Sequence, residues 1–85
     1  MFSGEQRLVH IILDISILGA FIDRFGRDIR LCENDNGTLT AQVEVAVSPA
    51  FYSWLFQFGG KAQLVYPENL IDEYRKMLKN AEASL

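Results

Sequence analysis

The chain has 85 residues, of which 49% are hydrophobic and 22% are charged, with a formal net charge of −3. This composition is typical of one small globular domain. The acidic balance argues against strong, non-specific binding of nucleic acid. Cys32 is the single cysteine, which excludes an intramolecular disulfide, and His10 is the single histidine, so a metal site built on thiolates and imidazoles is not expected.

The first part of the chain predicts a strand, a helix and a second strand. Arg7–Leu13 is short and rich in β-branched residues, which favours a strand, and Asp14 or Ser16 can cap the helix that follows. The apolar face of that helix has the spacing i, i+3, i+4, i+7 and consists of Leu18, Phe21, Ile22 and Phe25. Gly26 is placed to end the helix, and Asp28–Glu33 follows as a strand.

A hairpin comes next. Asn34–Gly37 ends in Asn-Gly, which tolerates the positive φ of tight turns. Thr38–Val47 alternates between apolar and polar residues, which predicts a strand with one buried face. The predicted buried face consists of Leu39, Ala41, Val43, Val45 and Val47.

The last part of the chain predicts a helix, a strand and a helix. Ser48-Pro49 is an N-cap followed by proline at the first helical position, and Gly59-Gly60 stops that helix. Ala62–Tyr66 is a short strand, after which Pro67 opens a final helix. The apolar stripe of the final helix is Leu70, Ile71, Tyr74, Met77 and Leu78.

The order β-α-β-β-α-β-α predicts an α+β fold, namely a ferredoxin-like βαββαβ sandwich with an additional C-terminal helix. In this topology the first and third strands are central antiparallel neighbours, and helices cover one sheet face only. We expect the open face to carry Leu8, His10, Ile12, Arg30, Cys32, Thr40, Gln42, Glu44, Gln63 and Val65. Because several of these residues are apolar, the open face is predicted to bind a partner.

Six residues are candidates for that interface. Four belong to the open sheet face, and two lie on the second helix at i, i+4, away from its core stripe. They are Leu8, Ile12, Gln42, Val65, Tyr52 and Phe56. Aromatic residues are common at the centres of interfaces, so the second helix can present a further binding face.

Catalytic patterns are missing from the sequence. No serine lies in a Gly-x-Ser-x-Gly turn, and Gly59-Gly60-Lys61 lacks the rest of a phosphate-binding loop. Cys32 and His10 could meet only across the open sheet face, from non-adjacent strands. We therefore expect no enzyme activity, no catalytic residue, no metal and no cofactor. The start of the chain has no signal-peptide pattern, and no apolar run could span a bilayer, so a cytoplasmic protein without membrane contact is expected.

Four residues are candidates for contact with an effector. Arg24, Arg27 and Arg30 follow one another closely in DRFGRDIR and could bind phosphate or a carboxylate. The alternative is ion pairing with Asp23, Asp28 and Glu33. His10 could sense pH or an anion, or could be a simple sheet-face residue opposite Gln42 or Glu44.

Several segments together resemble a known family. They are Ile22-Asp23-Arg24-Phe25-Gly26, the Asn34–Gly37 hairpin, Val45-Ala46-Val47-Ser48-Pro49, Trp54-Leu55-Phe56-x-Phe58-Gly59 and Pro67-Glu68. Phe2-Ser3-Gly4-Glu5 also resembles the usual approach to the first strand. Over nearly its whole length the chain resembles the C-terminal extension, or WCX, domain of WYL-type bacterial transcription regulators.

The resemblance implies a ferredoxin-like regulatory module without catalysis. Such regulators carry an N-terminal winged helix-turn-helix, a WYL domain and this tail, so residues 1–85 are expected to be a single WCX-like domain and a fragment without the two upstream domains. The implied partners are the WYL domain of the same or a partner subunit, a second copy in a homodimer, and a nucleotide or oligonucleotide effector. Operator DNA would be contacted only through the missing N-terminal domain.

A departure from the family pattern and an alternative function bear on this interpretation. Related tails often place basic residues where this chain has Leu8, His10 and Ile12, which favours protein contact by the sheet over direct nucleic-acid contact. The alternative is a stand-alone small-molecule sensor resembling amino-acid-binding ACT modules. Those modules need a glycine in the turn after the first strand, whereas Gly19 comes late in Ile15–Gly19.

Overall fold

The computed structural model describes residues 5–85, without the side chains of Glu5 and Arg27. Phe2–Gly4, which the family resemblance places before the first strand, lies outside the described residues. Within residues 5–85 the chain forms four strands and three α-helices. In chain order these are β1 (Glu5–Asp14), α1 (Leu18–Phe25), β2 (Arg30–Glu33), β3 (Thr38–Val47), α2 (Pro49–Phe56), β4 (Ala62–Tyr66) and α3 (Glu68–Ala83). The α+β class is therefore as predicted.

The four strands form one antiparallel sheet in the order β2-β3-β1-β4. β1 and β3 pair along their whole length, from Glu5 opposite Val47 to Asp14 opposite Thr38, and they occupy the centre of the sheet. β2 and β4 are shorter edge strands. Because side chains alternate along each strand, this register places all even-numbered residues of β1 and β3 on one face and all odd-numbered residues on the other.

The connection from β1 to β2 differs in detail from the prediction. Asp14 is the residue that caps, since its carboxylate accepts a hydrogen bond of 2.9 Å from the backbone N–H of Ser16 and starts a short 3₁₀ turn before α1. Gly26 ends α1 with a φ of 64°, as a glycine at this position should. A second 3₁₀ turn, Gly26–Asp28, then delays β2 until Arg30, two residues later than Asp28.

The core lies between the helices and the face of the sheet that carries the odd-numbered residues. Val9, Ile11 and Leu13 of β1 are 0% exposed. The rest of the buried cluster comes from the neighbouring strands and all three helices and comprises Ala41, Val43, Val45, Leu64, Phe21, Phe51, Tyr52, Leu55 and Leu70. Burial of each large apolar side chain stabilises the fold by about 1.5–3 kcal/mol, so this face accounts for most of the stability.

An aromatic cluster joins α1 to α2. Trp54 meets Phe21, Phe25 and Phe58 with ring centroids 4.9, 5.4 and 5.0 Å apart, and all three contacts are edge-to-face. This geometry places the positive edge of one ring against the negative face of another. Contacts between aromatic rings therefore hold these two short helices together.

Ile22 departs from the predicted apolar face of α1, since its side chain is 44% exposed. Phe21 is the residue of α1 that is fully buried. Ile22 follows it by one residue and so lies about 100° further round the helix, outside the contact with the sheet. An eight-residue helix on a flat sheet has room to bury only a narrow stripe.

Tyr52 is a correction to the predicted interface. Its side chain is 3% exposed because α3 packs over it, with the ring of Tyr74 stacked at 5.2 Å and 9°. The hydroxyl of Tyr52 donates a hydrogen bond of 2.7 Å to Oε1 of Glu73. Burial, reinforced by the Glu73 carboxylate, raises the pKa of Tyr52. The C-terminal helix thus covers the face of α2 that the sequence left open.

Candidate functional site

The face of the sheet opposite the helices carries side chains in rows that cross the strands. We call it the uncovered face. One row runs from β2 to β4 as Arg30, Gln42, His10 and Tyr66. The next row is Cys32, Thr40, Ile12 and Gln63. Adjacent strands lie about 4.8 Å apart, so each row spans about 14 Å of surface.

A β-bulge changes the composition of the uncovered face. Ile11 pairs with Leu64, but His10 pairs with Tyr66, so one extra residue of β4 lies between the two pairs. That extra residue is Val65, which strict alternation assigns to the uncovered face. Tyr66 takes the place beside His10, with ring centroids 4.6 Å apart. The sequence does not indicate the place of Tyr66, because no signal marks the bulge, and the interface role of the half-buried Val65 stays a prediction.

The uncovered face combines apolar and polar groups. Leu8 is 45% exposed opposite Glu44, and the half-buried Ile12 lies between Thr40 and Gln63. Three of the predicted interface residues, Leu8, Ile12 and Gln42, thus share one surface. Apolar side chains set among hydrogen-bonding groups are suited to contact with another protein.

The predicted effector residues do not come together as a group. Arg30 and His10 lie in the same row of the uncovered face, separated by Gln42. Arg24 lies on the helical side, where its guanidinium carbon is 5.2 Å from the ring centroid of Trp54. The side chain of Arg27 is outside the described residues. Only two of the four candidates can therefore be placed together on one surface from the described residues.

The alternative of ion pairing for these arginines is not seen where it can be tested. In the described part of the chain, Arg24 and Arg30 form no ion pair with Asp23, Asp28 or Glu33. An ion pair that the structure does show lies on α3, between Arg75 and Asp72 at 3.6 Å.

Cys32 and His10 are not arranged for nucleophilic catalysis. Cys32 pairs with Thr40 and His10 with Gln42, so they lie two strands and one row apart. The thiol of Cys32 makes a weak hydrogen bond of 3.9 Å to the backbone oxygen of Glu33. A nucleophile and its base must lie within hydrogen-bonding distance, which this arrangement does not provide.

A polar pocket lies at the hairpin end of the uncovered face. The side-chain amide of Asn34 donates hydrogen bonds of 3.1 Å to the hydroxyls of Thr38 and Thr40, which fixes the turn. Asp14, at the rim, has a lowered pKa because the side chain and the backbone N–H of Ser16 hydrogen-bond to its carboxylate. Among the described residues no group of three or more His, Cys, Asp or Glu side chains is placed to hold a metal ion.

The helical side carries a second apolar surface. Phe56, at the end of α2, is 58% exposed and is the predicted interface residue that the structure leaves accessible on this side. It borders a groove between α2 and α3, here called the α2–α3 groove. The groove is lined by Ser53, Phe56, Met77, Leu78, Ala81 and Leu85 and by the charged residues Arg75, Lys79 and Glu82. No helix among the described residues has the length and hydropathy to cross a bilayer.

Comparison with known proteins identifies the family. The model of the WCX domain family matches residues 5–81, which include every strand and all but the last residues of α3. No curated protein and no solved structure is significantly similar to the chain. The chain belongs to the WCX domain family.

Proposed function

We propose that this chain is a non-enzymatic regulatory module of a WYL-type bacterial transcription regulator, contributing to dimerisation and to the response to an effector. The observation that carries the proposal is the WCX match over residues 5–81. The sheet order β2-β3-β1-β4, with the core and the helices on one face, supports a ferredoxin-like fold with an extra helix.

The uncovered face is the surface we assign to the contact with the WYL domain and to the effector response. Its centre is half-apolar, which suits contact with the WYL domain of the same or a partner subunit. Arg30 and His10 lie in one row of this face and supply a cation and a ring nitrogen for an anionic effector, such as a nucleotide or an oligonucleotide. The effector would then lie at the edge of the protein contact, where it can influence how the two domains meet.

Binding of a fluorescently labelled, short single-stranded oligonucleotide tests the effector role. The fluorescence anisotropy of the oligonucleotide is measured with the purified chain alone and with a WYL domain added as a separate protein. Arg30→Ala should weaken binding about tenfold, whereas Arg24→Ala should change it by less than about twofold, because Arg24 lies on the other side of the molecule. Binding that responds to Arg24 and not to Arg30 would contradict this assignment.

A second binding experiment on the purified chain distinguishes the regulatory tail from the alternative, an amino-acid sensor. Gly19 lies inside α1 rather than in the turn after β1, which is occupied by Ile15–Ile17. The chain therefore lacks a glycine turn at the place where an ACT-like module would need one. Saturable binding of a free amino acid by the purified chain would favour the sensor over the regulatory tail.

A further inference from the structure

The C-terminal helix carries more apolar surface than the core uses. Ile71 and Tyr74 pack against the core, but the same stripe continues along α3 at spacings of three and four through Leu78 to Ala81. Leu85, just after the helix, is fully exposed. The stripe has the pattern of a helix that packs along a second helix.

The α2–α3 groove gives this stripe a recess to pack into. Phe56 stands at its border with more than half of its side chain exposed, and Leu78 lines its floor. Exposed aromatic and aliphatic side chains that lie together on a small domain mark an interaction surface. The charges at the rim of the groove restrict which partner can bind there.

Arg75, Lys79 and Glu82 are the charged residues that line the groove, and Arg75 and Glu82, which lie nearer the apolar stripe than Lys79, form a self-complementary pair. Arg75 and Glu82 both line the groove, three residues before and four residues after Leu78. Both lie on the same side of the apolar stripe, because they are seven residues, or about two helical turns, apart. Two such helices packed antiparallel place each Arg75 opposite the Glu82 of the other copy. The Arg75–Asp72 pair does not prevent this, because both of its side chains are more than 60% exposed and such pairs are weak.

We propose that a second copy of this chain docks in the α2–α3 groove, α3 against α3 in antiparallel orientation, with a two-fold axis between Leu78 and Ala81. This inference rests on the proposed function, whose dimerisation it assigns to a surface. The two-fold symmetry forms both Arg75–Glu82 pairs at once, as an isologous interface requires. Ala81 of one copy opposes Leu78 of the other, so a small residue meets a large one and the helices can approach closely.

Sedimentation velocity over a concentration series tests the proposal with a charge exchange. Arg75→Glu alone and Glu82→Arg alone each place like charges opposite one another, and each should weaken self-association at least about tenfold. The double variant Arg75→Glu, Glu82→Arg restores opposite charges and should recover association. An equimolar mixture of the two single variants should form a heterodimer, because each then supplies what the other lacks.

Matched controls separate this surface from others. Lys76→Glu changes a charge on the opposite side of α3 and should leave association unchanged. Circular dichroism of each variant checks that the fold is retained. The wild-type chain remaining a monomer at every concentration would overturn the proposal, as would equal association of all charge variants. If Ile12→Glu dissociates a dimer that the charge variants leave intact, dimerisation stands but belongs to the uncovered face.

Discussion

The two faces of β1 have opposite roles although their residues alternate along one strand. Val9, Ile11 and Leu13 are fully buried under the helices, whereas Leu8, His10 and Ile12 lie on the uncovered face. Both sets contain large aliphatic residues, so composition alone does not distinguish them. The difference shows that one face of the strand packs under the helices and forms the core, whereas the apolar residues of the other face stay partly exposed.

The largest effect is expected for a substitution on the buried face of β1, compared with its neighbour on the uncovered face. Ile11→Ala should lower the free energy of unfolding by about 2–5 kcal/mol, because it removes fully buried methyl groups and leaves a cavity. Ile12→Ala, one residue further on, should cost less than about 1 kcal/mol, because its side chain is only half-buried. Urea denaturation measures both. Equal losses would show that the uncovered face also belongs to the folding core.

The second prediction concerns the contact between α2 and α3. Tyr52→Phe should cost about 1–2 kcal/mol at neutral pH, since it removes the hydrogen bond to Glu73 from a buried ring. The raised pKa of Tyr52 adds a pH dependence: the unfolded tyrosine ionises near pH 10.0 and the folded one at higher pH, so stability falls as the pH rises above that value.

The alkaline loss of stability supplies a check with its own control. Tyr52→Phe should flatten the decline above pH 10.0, leaving the smaller contribution of Tyr74, whose pKa is also raised by burial. Tyr66→Phe, which removes a hydroxyl from a half-exposed ring on the uncovered face, is the matched control for the deletion of a tyrosine hydroxyl. Chemical denaturation at a series of alkaline pH values makes the measurement, and an unchanged slope in Tyr52→Phe would argue against the buried position.

The third prediction tests how α2 begins. The hydroxyl of Ser48 accepts a hydrogen bond of 3.3 Å from the backbone N–H of Phe51. Ser48→Ala should therefore destabilise the domain by about 1 kcal/mol. Ser53→Ala, inside the same helix and exposed, is the matched control and should be close to neutral. Thermal denaturation measures the stability of both variants. A loss of stability in Ser53→Ala as large as that in Ser48→Ala would contradict the capping role.

The smallest expected effect distinguishes the two arginines that the sequence places six residues apart. Arg24→Ala should cost about 0.5–1 kcal/mol through its contact with Trp54 and should alter the tryptophan fluorescence of the folded chain. Arg30→Ala, on the uncovered face, should leave both the stability and the fluorescence near the wild-type values. A fluorescence change with Arg30 instead would place the wrong arginine beside the aromatic cluster.

Local patterns predicted most of the elements. β3 has the bounds that its alternation indicates, and β4 spans Ala62–Tyr66 as predicted. Ser48 caps α2, and Gly37 has the positive φ that the Asn-Gly turn requires. These signals depend on neighbours in sequence, so no knowledge of tertiary contacts is needed to interpret them.

The sequence-based predictions fail where the position of a residue depends on elements that are distant in sequence. Tyr52 looks like an open position on α2 until α3 covers it, and a bulge in β4 brings Tyr66 beside His10, a place that strict alternation does not give to Tyr66. Arg24 and Arg30 are close in sequence, but the end of α1 and the turn after it send them to opposite sides of the molecule. The burial of a side chain, the position of a β-bulge and the side of the molecule on which a residue lies all depend on the assembled sheet and helices, which local sequence patterns do not describe.

Amide chemical-shift mapping tests whether one face of the sheet folds the chain while the other binds the WYL domain and the effector. The isotope-labelled chain is titrated with a WYL domain and, separately, with a short single-stranded oligonucleotide. We expect the perturbed amides to centre on the row of Arg30, Gln42 and His10 on the uncovered face. Perturbations confined to the aromatic cluster of α1 and α2, or none with either addition, would contradict it.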